Sequence, residues 1–158
     1  MTQPDERPRK AICKNRRARR DYFIEETYEA GLVLLGTEVK SLRQGRANLS
    51  DAYVRPRNGE LFLVKAHIAP YEPARDNHEP ERERKLLMSQ REIVKLGVKL
   101  RERGYTLVPL EMYWSGSYAK VTLGLAKGKR AYDKREAVAK RDIERQLRRV
   151  VKRERRRQ

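Results

Sequence analysis

The chain has 158 residues, with 39 Lys and Arg against 22 Asp and Glu, and a formal charge of +17. Charged residues make up 39% and apolar ones 38%, enough for one modest core, and no stretch approaches the roughly 20 apolar residues of a membrane span. A single cysteine, Cys13, excludes an internal disulfide and a multi-cysteine zinc site, and two histidines, His67 and His78, are too few for a histidine-rich metal centre.

The charge is unevenly placed. Residues 1–20 carry a net +6, residues 21–126 a net +1 and residues 127–158 a net +10. This predicts a basic N-terminal arm (1–20), a nearly neutral globular body (21–126) and a basic C-terminal tail (127–158). Such an arrangement points to a polyanionic partner. The segment MTQPDERPRK lacks the apolar run of a signal peptide, so a cytoplasmic location is expected. Membrane attachment is not, since neither a lipidation motif nor a large apolar face accompanies the charge.

Along the body, Tyr22 to Glu29 reads as a strand that Gly31 breaks, followed by a buried apolar run, Leu32 to Leu35. Gly36-Thr37 offers a turn and an N-cap, Glu38 suits the positive end of a helix dipole, and Val39 and Leu42 share a helical face up to a stop at Gly45. Ala52 to Pro56 and Glu60 to Ile68 flank Asn58-Gly59, a strong hairpin signal. Pro70 to Glu83 reads as a loop. Lys85 to Met88 is open to two readings, strand or helical turn. Ser89 and Glu92 have capping-box spacing before Ile93, Leu96 and Leu100, predicting a longer helix up to Gly104. Thr106 to Trp114 and Tyr118 to Ala126 form a second hairpin around Ser-Gly-Ser, with Ala119, Val121, Leu123 and Leu125 on its buried face.

These elements predict a mainly β fold with some α: a small closed antiparallel barrel of about six strands, of the oligonucleotide-binding type, with one short and one longer helix. A split α+β sheet is the alternative. In the tail, Ala139, Ile143, Leu147, Val150 and Val151 make a narrow apolar stripe at helical spacing, opposed by like charges at Arg148-Arg149 and Arg153 to Arg157. The expectation is a tail that becomes helical when bound to a polyanion.

No catalytic constellation is present. His67 reads as a packed or surface-lining residue and His78 as solvated. The basic neighbours of Cys13 favour its thiolate, but no resolving cysteine accompanies it. No metal and no cofactor are implied, and the chain is not expected to be an enzyme. What the sequence offers instead is cations among aromatic and polar groups: Asn15 to Arg20 with Arg17, Lys40 and Arg43 three apart, Tyr118 and Lys120 on one strand face, and Lys127-Gly-Lys129-Arg130. Cations contact phosphates, and tyrosines stack on unpaired bases.

Several stretches carry a more specific resemblance. Asn15-Arg-Arg-Ala-Arg, Tyr22-Phe-Ile-Glu-Glu, Glu29-Ala-Gly, Gly36-Thr-Glu-Val-Lys-Ser-Leu-Arg43, Asn48-Leu-Ser-Asp-Ala-Tyr53, Arg84-Lys-Leu-Leu87 and Gly128-Lys-Arg-Ala-Tyr-Asp-Lys-Arg135 occur in the order found in the SsrA-binding protein (SmpB) family. The resemblance implies a bacterial RNA-binding protein with an oligonucleotide-binding type barrel. It implies binding to the tRNA-like domain of transfer-messenger RNA (tmRNA) and delivery of that RNA, with elongation factor Tu, to stalled ribosomes for trans-translation.

The resemblance also implies two surfaces. Asn15, Glu29, Leu87 and Lys120 match the RNA-binding positions, with Glu38, Lys40, Ser41 and Arg43 as further motif members. Glu38 is open to helix-start stabilisation as well as RNA contact, and Leu87 to a core position as well as a wedge against a base. The tail is placed by resemblance in the small-subunit decoding centre and the empty messenger channel. Asp133, Lys134 and Arg135 match the decoding-centre motif, and Tyr132 stands where many relatives carry His, so it stacks without a cationic ring. Val150 and Val151 match aliphatic positions. A generic ribosome-associated RNA chaperone is the competing reading.

Overall fold

The computed structural model describes residues 8–102, 104–128, 143 and 145–152. In chain order the elements are β1 (Arg9–Lys14), α1 (Arg16–Asp21), β2 (Tyr22–Leu32), α2 (Gly36–Arg43), β3 (Ala47–Asn48), β4 (Tyr53–Arg57), β5 (Glu60–Val64), β6 (His67–Ile68), β7 (Arg84–Leu87), α3 (Gln90–Arg101), β8 (Tyr105–Ser115) and β9 (Tyr118–Gly128). The chain divides into two units, Met1–Gly128 and Lys129–Gln158. All of these elements belong to the first.

Seven strands form one antiparallel sheet in the order β1-β8-β9-β2-β7-β5-β4, and β3 pairs with β6 separately. The sheet curls until β4 comes against β8. The expected closed barrel of about six strands is therefore corrected: the sheet has more strands, and its edges β1 and β4 share no hydrogen-bonded ladder. The arm expected at 1–20 also differs. From Arg9 onward it enters the body, because β1 pairs with β8 from Arg9↔Ser115 to Lys14↔Glu111.

The inner face of the curl holds the main core. Ala30, Leu42, Leu49, Leu61, Leu63, Leu86, Leu96, Leu107, Met112, Val121, Leu123 and Leu125 are all buried there. Strand alternation delivers them: on β9, Ala119, Val121, Leu123 and Leu125 point inward while Tyr118 and Lys120 point out. A second, smaller cluster lies on the outer face of β8 and β9. There Ala18 of α1 covers Val108, Leu110 and Ala126, with Tyr22 and Ile24 beside them. Gly124 leaves room for this lid, since a Cβ on it would stand 3.1 Å from Leu110 Cδ1 and 3.2 Å from Ile24 Cδ1.

Local chemistry explains the remaining elements. Asn58 and Gly59 have φ of 53° and 76°, the two-residue turn the Asn-Gly pair requires between β4 and β5. Ser89 Oγ accepts the Glu92 N–H at the start of α3. Gly45, at φ 71°, follows α2. Two expectations around α2 are corrected. Gly31 does not break β2, which runs to Leu32 and pairs Gly31 on both sides. Val33 and Leu35 are exposed, because past Leu32 the chain leaves the sheet and turns toward α2. The open reading of Lys85 to Met88 resolves as strand for Lys85 to Leu87, within β7, with Met88 just beyond it.

In the second unit, residues 145–152 are helical, and Ile143, Leu147, Val150 and Val151 are exposed.

Candidate nucleic-acid interface

The paired registers place a row of side chains across the outer face of the sheet. Gly31 of β2 pairs with Leu87 of β7 on one side and with Lys120 of β9 on the other, and Lys120 pairs with Tyr113 of β8. Directly paired residues of antiparallel strands share a face. The next rows add Glu29 opposite Thr122, and Tyr118 opposite Ser115, which pairs with Arg9 of β1. Glu29, Leu87, Tyr118 and Lys120, drawn from the sequence on three strands, thus stand together on one face. Leu87 is 52% and Tyr118 62% exposed. This exposure excludes the core reading of Leu87.

A polar cluster organises the middle of this face. The Arg9 guanidinium lies 4.0 Å from the centroid of the Tyr113 ring, and its Nη2 is 3.3 Å from Glu29 Oε1. Burial pushes the Tyr113 phenol up to about 12, and its hydrogen bond to Glu29 adds to the shift. Tyr113 therefore stays protonated and donates to Glu29. Sequence reading missed Tyr113 and Arg9, since both depend on strand register.

The same geometry removes three residues from direct recognition. Asn15 is buried, and its Nδ2 donates to Leu49 O at 3.1 Å and to Pro109 O at 2.9 Å. Its Oδ1 accepts the Ala18 N–H at 3.2 Å, capping α1. Ser41 is also buried, with Oγ donating to Ala69 O at 2.6 Å. Glu38 has no exposed side-chain surface. Its Oε1 accepts from Leu35 N at 2.8 Å and Arg82 Nη2 at 2.6 Å, and its Oε2 accepts from Arg84 Nε at 2.6 Å. Burial raises the Glu38 carboxyl, but the hydrogen bonds from Arg82 and Leu35 and the charge of Arg84 outweigh it, so its pKa lies below the usual carboxylate range. Of the two roles open to Glu38, the structure supports helix-start stabilisation. Each of the three is fully engaged inside the body, so an RNA contact through its side chain is corrected to a structural role.

Lys40, Arg43 and Arg17 are exposed, but on helices and not among the sheet residues. The Lys40 ammonium lies 5.4 Å from the Tyr71 centroid and the Arg43 guanidinium 5.9 Å from that of Trp114. Arg17, on the helix that covers the far end of the same outer face, pairs with Asp21 at 3.2 Å and Asp51 at 3.5 Å. Lys127, at the end of β9, lies 4.6 Å from the Tyr105 centroid. Val150 and Val151 are exposed on the helical residues of the tail. Lys129, Arg130, Tyr132, Asp133, Lys134 and Arg135 lie outside the described residues.

The histidine and cysteine readings are adjusted. His67 is exposed on β6, but His78 is not solvated: it is buried, Nε2 donates to Ile68 O at 2.9 Å, and Nδ1 is 2.8 Å from Thr37 Oγ1. Burial pushes the Cys13 thiol up to about 11, against a lowering hydrogen bond from the Met112 backbone and with the charge of Glu111 adding to the rise, so its thiolate is not favoured. Among the described residues no group of three His, Cys, Asp or Glu side chains could hold a metal, and no helix is long and apolar enough to cross a membrane.

Curled antiparallel sheets with a mixed aromatic, cationic and aliphatic face are platforms suited to nucleic acids. Comparison with known proteins narrows the class. The family model described as SmpB protein matches residues 12–153. An SsrA-binding protein of Desulforudis audaxviator is 57% identical over 146 residues, covering 92% of this chain and 95% of its own. One of Carboxydothermus hydrogenoformans is 58% identical over 144 residues, covering 90% and 97%. A solved chain described as "tmRNA-SmpB: a journey to the center of the bacterial ribosome" superposes with a TM-score of 0.67 at 50% identity, covering 80% of this chain and 93% of that one. The chain belongs to the SmpB family.

Proposed function

We propose that this chain binds the tRNA-like domain of tmRNA (SsrA) and brings it to stalled ribosomes for trans-translation, as a binding factor and not an enzyme. The observation that carries the reading is the convergence of Glu29, Leu87, Tyr118 and Lys120 on the outer face of β2, β7 and β9. Lys120 supplies a phosphate-type contact, Tyr118 a stacking surface, Leu87 an apolar wedge, and Glu29 an acceptor for base amino groups. Membership of the SmpB family supports the choice of RNA. The curled sheet serves as an oligonucleotide-binding type platform, and Arg17, Lys40 and Arg43 add longer-range attraction for phosphates.

The tail is the ribosome-facing module; it begins at Lys129, since Lys127, expected at its start, belongs to β9. Lys129, Arg130, Tyr132, Asp133, Lys134 and Arg135 enter the decoding centre. The following helix, with Val150 and Val151, runs along the empty messenger channel and is stabilised there by RNA charge. Elongation factor Tu joins through the RNA, and the setting is the bacterial cytoplasm.

Gel-shift titration of the tRNA-like domain at two salt concentrations, with tRNA as competitor, tests the first part. Specific recognition predicts retained binding under competition, whereas equal displacement by tRNA leaves only a generic RNA chaperone. Truncation before Ala131 tests the second. It removes no described strand or helix of the first unit, so RNA binding survives while tagging of stalled peptides stops; loss of specific RNA binding refutes the two-module reading.

A further inference from the structure

The Gly36-Thr-Glu-Val-Lys-Ser-Leu-Arg43 segment is the most distinctive stretch of the sequence, yet Glu38 at its centre cannot touch RNA. Its partners show what it does touch. Arg84 is fully buried at the start of β7, with Nε on Glu38 Oε2 at 2.6 Å, Nη1 donating to Ala66 O at 2.6 Å, and Nη2 donating to Pro80 O at 3.1 Å. Arg82, just before the strand, donates to the other carboxylate oxygen at 2.6 Å.

Strand β7 needs such an anchor. It has only four residues, Arg-Lys-Leu-Leu, and joins the two halves of the sheet: Leu61, Phe62 and Leu63 of β5 pair on one edge, but only Gly31 and Leu32 of β2 on the other. Its apolar pattern is degenerate. Leu86 points into the core and Leu87 points out, yet either leucine would fill the inner site if the strand slipped by one residue. Such a slip turns every side chain to the opposite face. The charged positions break the tie. In the slipped register Arg84 would face out, and Lys85 would leave Glu60 and turn inward in its place, where a compact ammonium does not reproduce the planar fork by which Arg84 holds Glu38, Ala66 O and Pro80 O together.

We propose that Glu38 and Arg84, with Arg82, form a register pin that selects Leu87 for the outer face, making Glu38 a positioning residue for RNA recognition. An apolar pair of the same volume would fill the space as well but would not distinguish the two leucines. The inference rests on the proposed role of Leu87 in RNA binding, but the pin itself can be measured without RNA.

The test is Glu38→Gln, which keeps the shape of the side chain and removes its charge, compared with the unsubstituted chain by NMR. The readouts are the cross-strand contacts Gly31–Leu87 and Leu32–Leu86. The expected result is a second set of β7 signals with Leu87 protected, while signals of Val121 and Leu123 in the core stay in place. Glu38→Gln combined with Leu87→Gln should return to one native set, because Gln at 87 resists burial. A single native β7 register in Glu38→Gln overturns the proposal, whatever its melting temperature. If Glu38→Gln does not fold, the double variant Glu38→Gln/Arg84→Met, which removes both buried charges of the pin, is read in the same way, with the same two results deciding.

Affinity for the tRNA-like domain then follows the native-register fraction: one tenth native gives roughly a tenfold loss. A second register populated as expected with affinity unchanged sinks the role of Leu87 in the proposed function and leaves the pin standing.

Discussion

Gly31 stands directly opposite Leu87, and a Cβ added to Gly31 would lie 3.4 Å from Leu87 Cβ. The same residue pairs with Lys120 on its other side. Gly31 thus places no side chain between an exposed leucine and a lysine, a gap in the row that the proposed function would fill with an unstacked base. The Glu29-Ala-Gly motif therefore lies inside β2 and is not a strand end.

Gly31→Val tests that gap. Valine suits an extended strand, so the fold should hold, but its methyl groups would fill the space between Leu87 and Lys120. The expected outcome is a loss of affinity for the tRNA-like domain of roughly tenfold or more, about 1.4 kcal/mol, with the urea midpoint little changed. Gel shift and urea denaturation check it. Wild-type affinity in a folded Gly31→Val variant would show that the gap is not used.

Asn15→Ala should behave in the opposite way. Asn15 caps α1 and ties it to the carbonyls of Leu49 and Pro109, all within the body. Loss of an N-cap costs about 1 kcal/mol, and two buried carbonyls losing their donor add roughly 1–3 kcal/mol. Urea unfolding should show a lowered midpoint. RNA affinity, measured on the folded fraction, should stay within a few-fold of wild type, and a large loss in fully folded protein would restore Asn15 to the recognition surface.

Much of the body was legible because short-range chemistry decides it. Asn58-Gly59, Ser89 with Glu92, and the alternation from Ala119 to Leu125 each specify their element locally. The N-terminal twenty residues were not, because their charge hides their packing. In α1, Ala18 is the buried residue among Arg16, Arg17, Arg19, Arg20 and Asp21, and β1 is held by pairing with β8 about a hundred residues away. Strands β3 and β6 have two residues each, too few for a period to show. The site was half legible for the same reason. Residue types picked out Tyr118 and Lys120, and the family resemblance Glu29 and Leu87, but only long-range register reveals that Glu38 meets Arg84 inside the fold, or that Tyr113 belongs beside Glu29.

Cys13 should be a poor nucleophile despite the arginines and lysines around it. Burial is the largest influence on its thiol, the Met112 backbone pulls the other way, and the result is a pKa of about 11. Since the thiolate is the reactive form, labelling by a thiol reagent at pH 7.5 should be far slower than for a free cysteine, whose pKa is about 8.5. Between pH 8 and pH 10 the rate should climb about tenfold per unit, because the thiolate fraction rises in that proportion below the pKa. A rate that levels off near pH 8 would place the thiol in contact with water and cations, contrary to its position on β1.

Glu29 and Lys120 lie in adjacent rows of one face, and they should fail differently. Lys120→Ala removes a phosphate-type contact. Affinity should weaken across RNA sequences, and the dependence of log K on log salt should flatten by about one phosphate unit. Glu29→Ala removes a negative charge from a protein of net +17. If attraction were only electrostatic, that variant would bind RNA more tightly. Recognition predicts the reverse: Glu29 accepts from Tyr113 and pairs with Arg9, and without it both donors lose their orientation and a base amino group loses its acceptor. The half-exposed Arg9–Glu29 pair contributes little to folding by itself, but the buried Tyr113 hydroxyl loses its acceptor, so stability should fall by about 1–3 kcal/mol. Affinity for the tRNA-like domain should fall by about 1–3 kcal/mol if the donor it satisfied is left buried and unpaired. Titrations of both variants at two salt concentrations, with urea unfolding to confirm that both are folded, decide between the two pictures. Glu29→Ala binding as well as or better than wild type would remove Glu29 from the interface and reduce the face to a cationic patch.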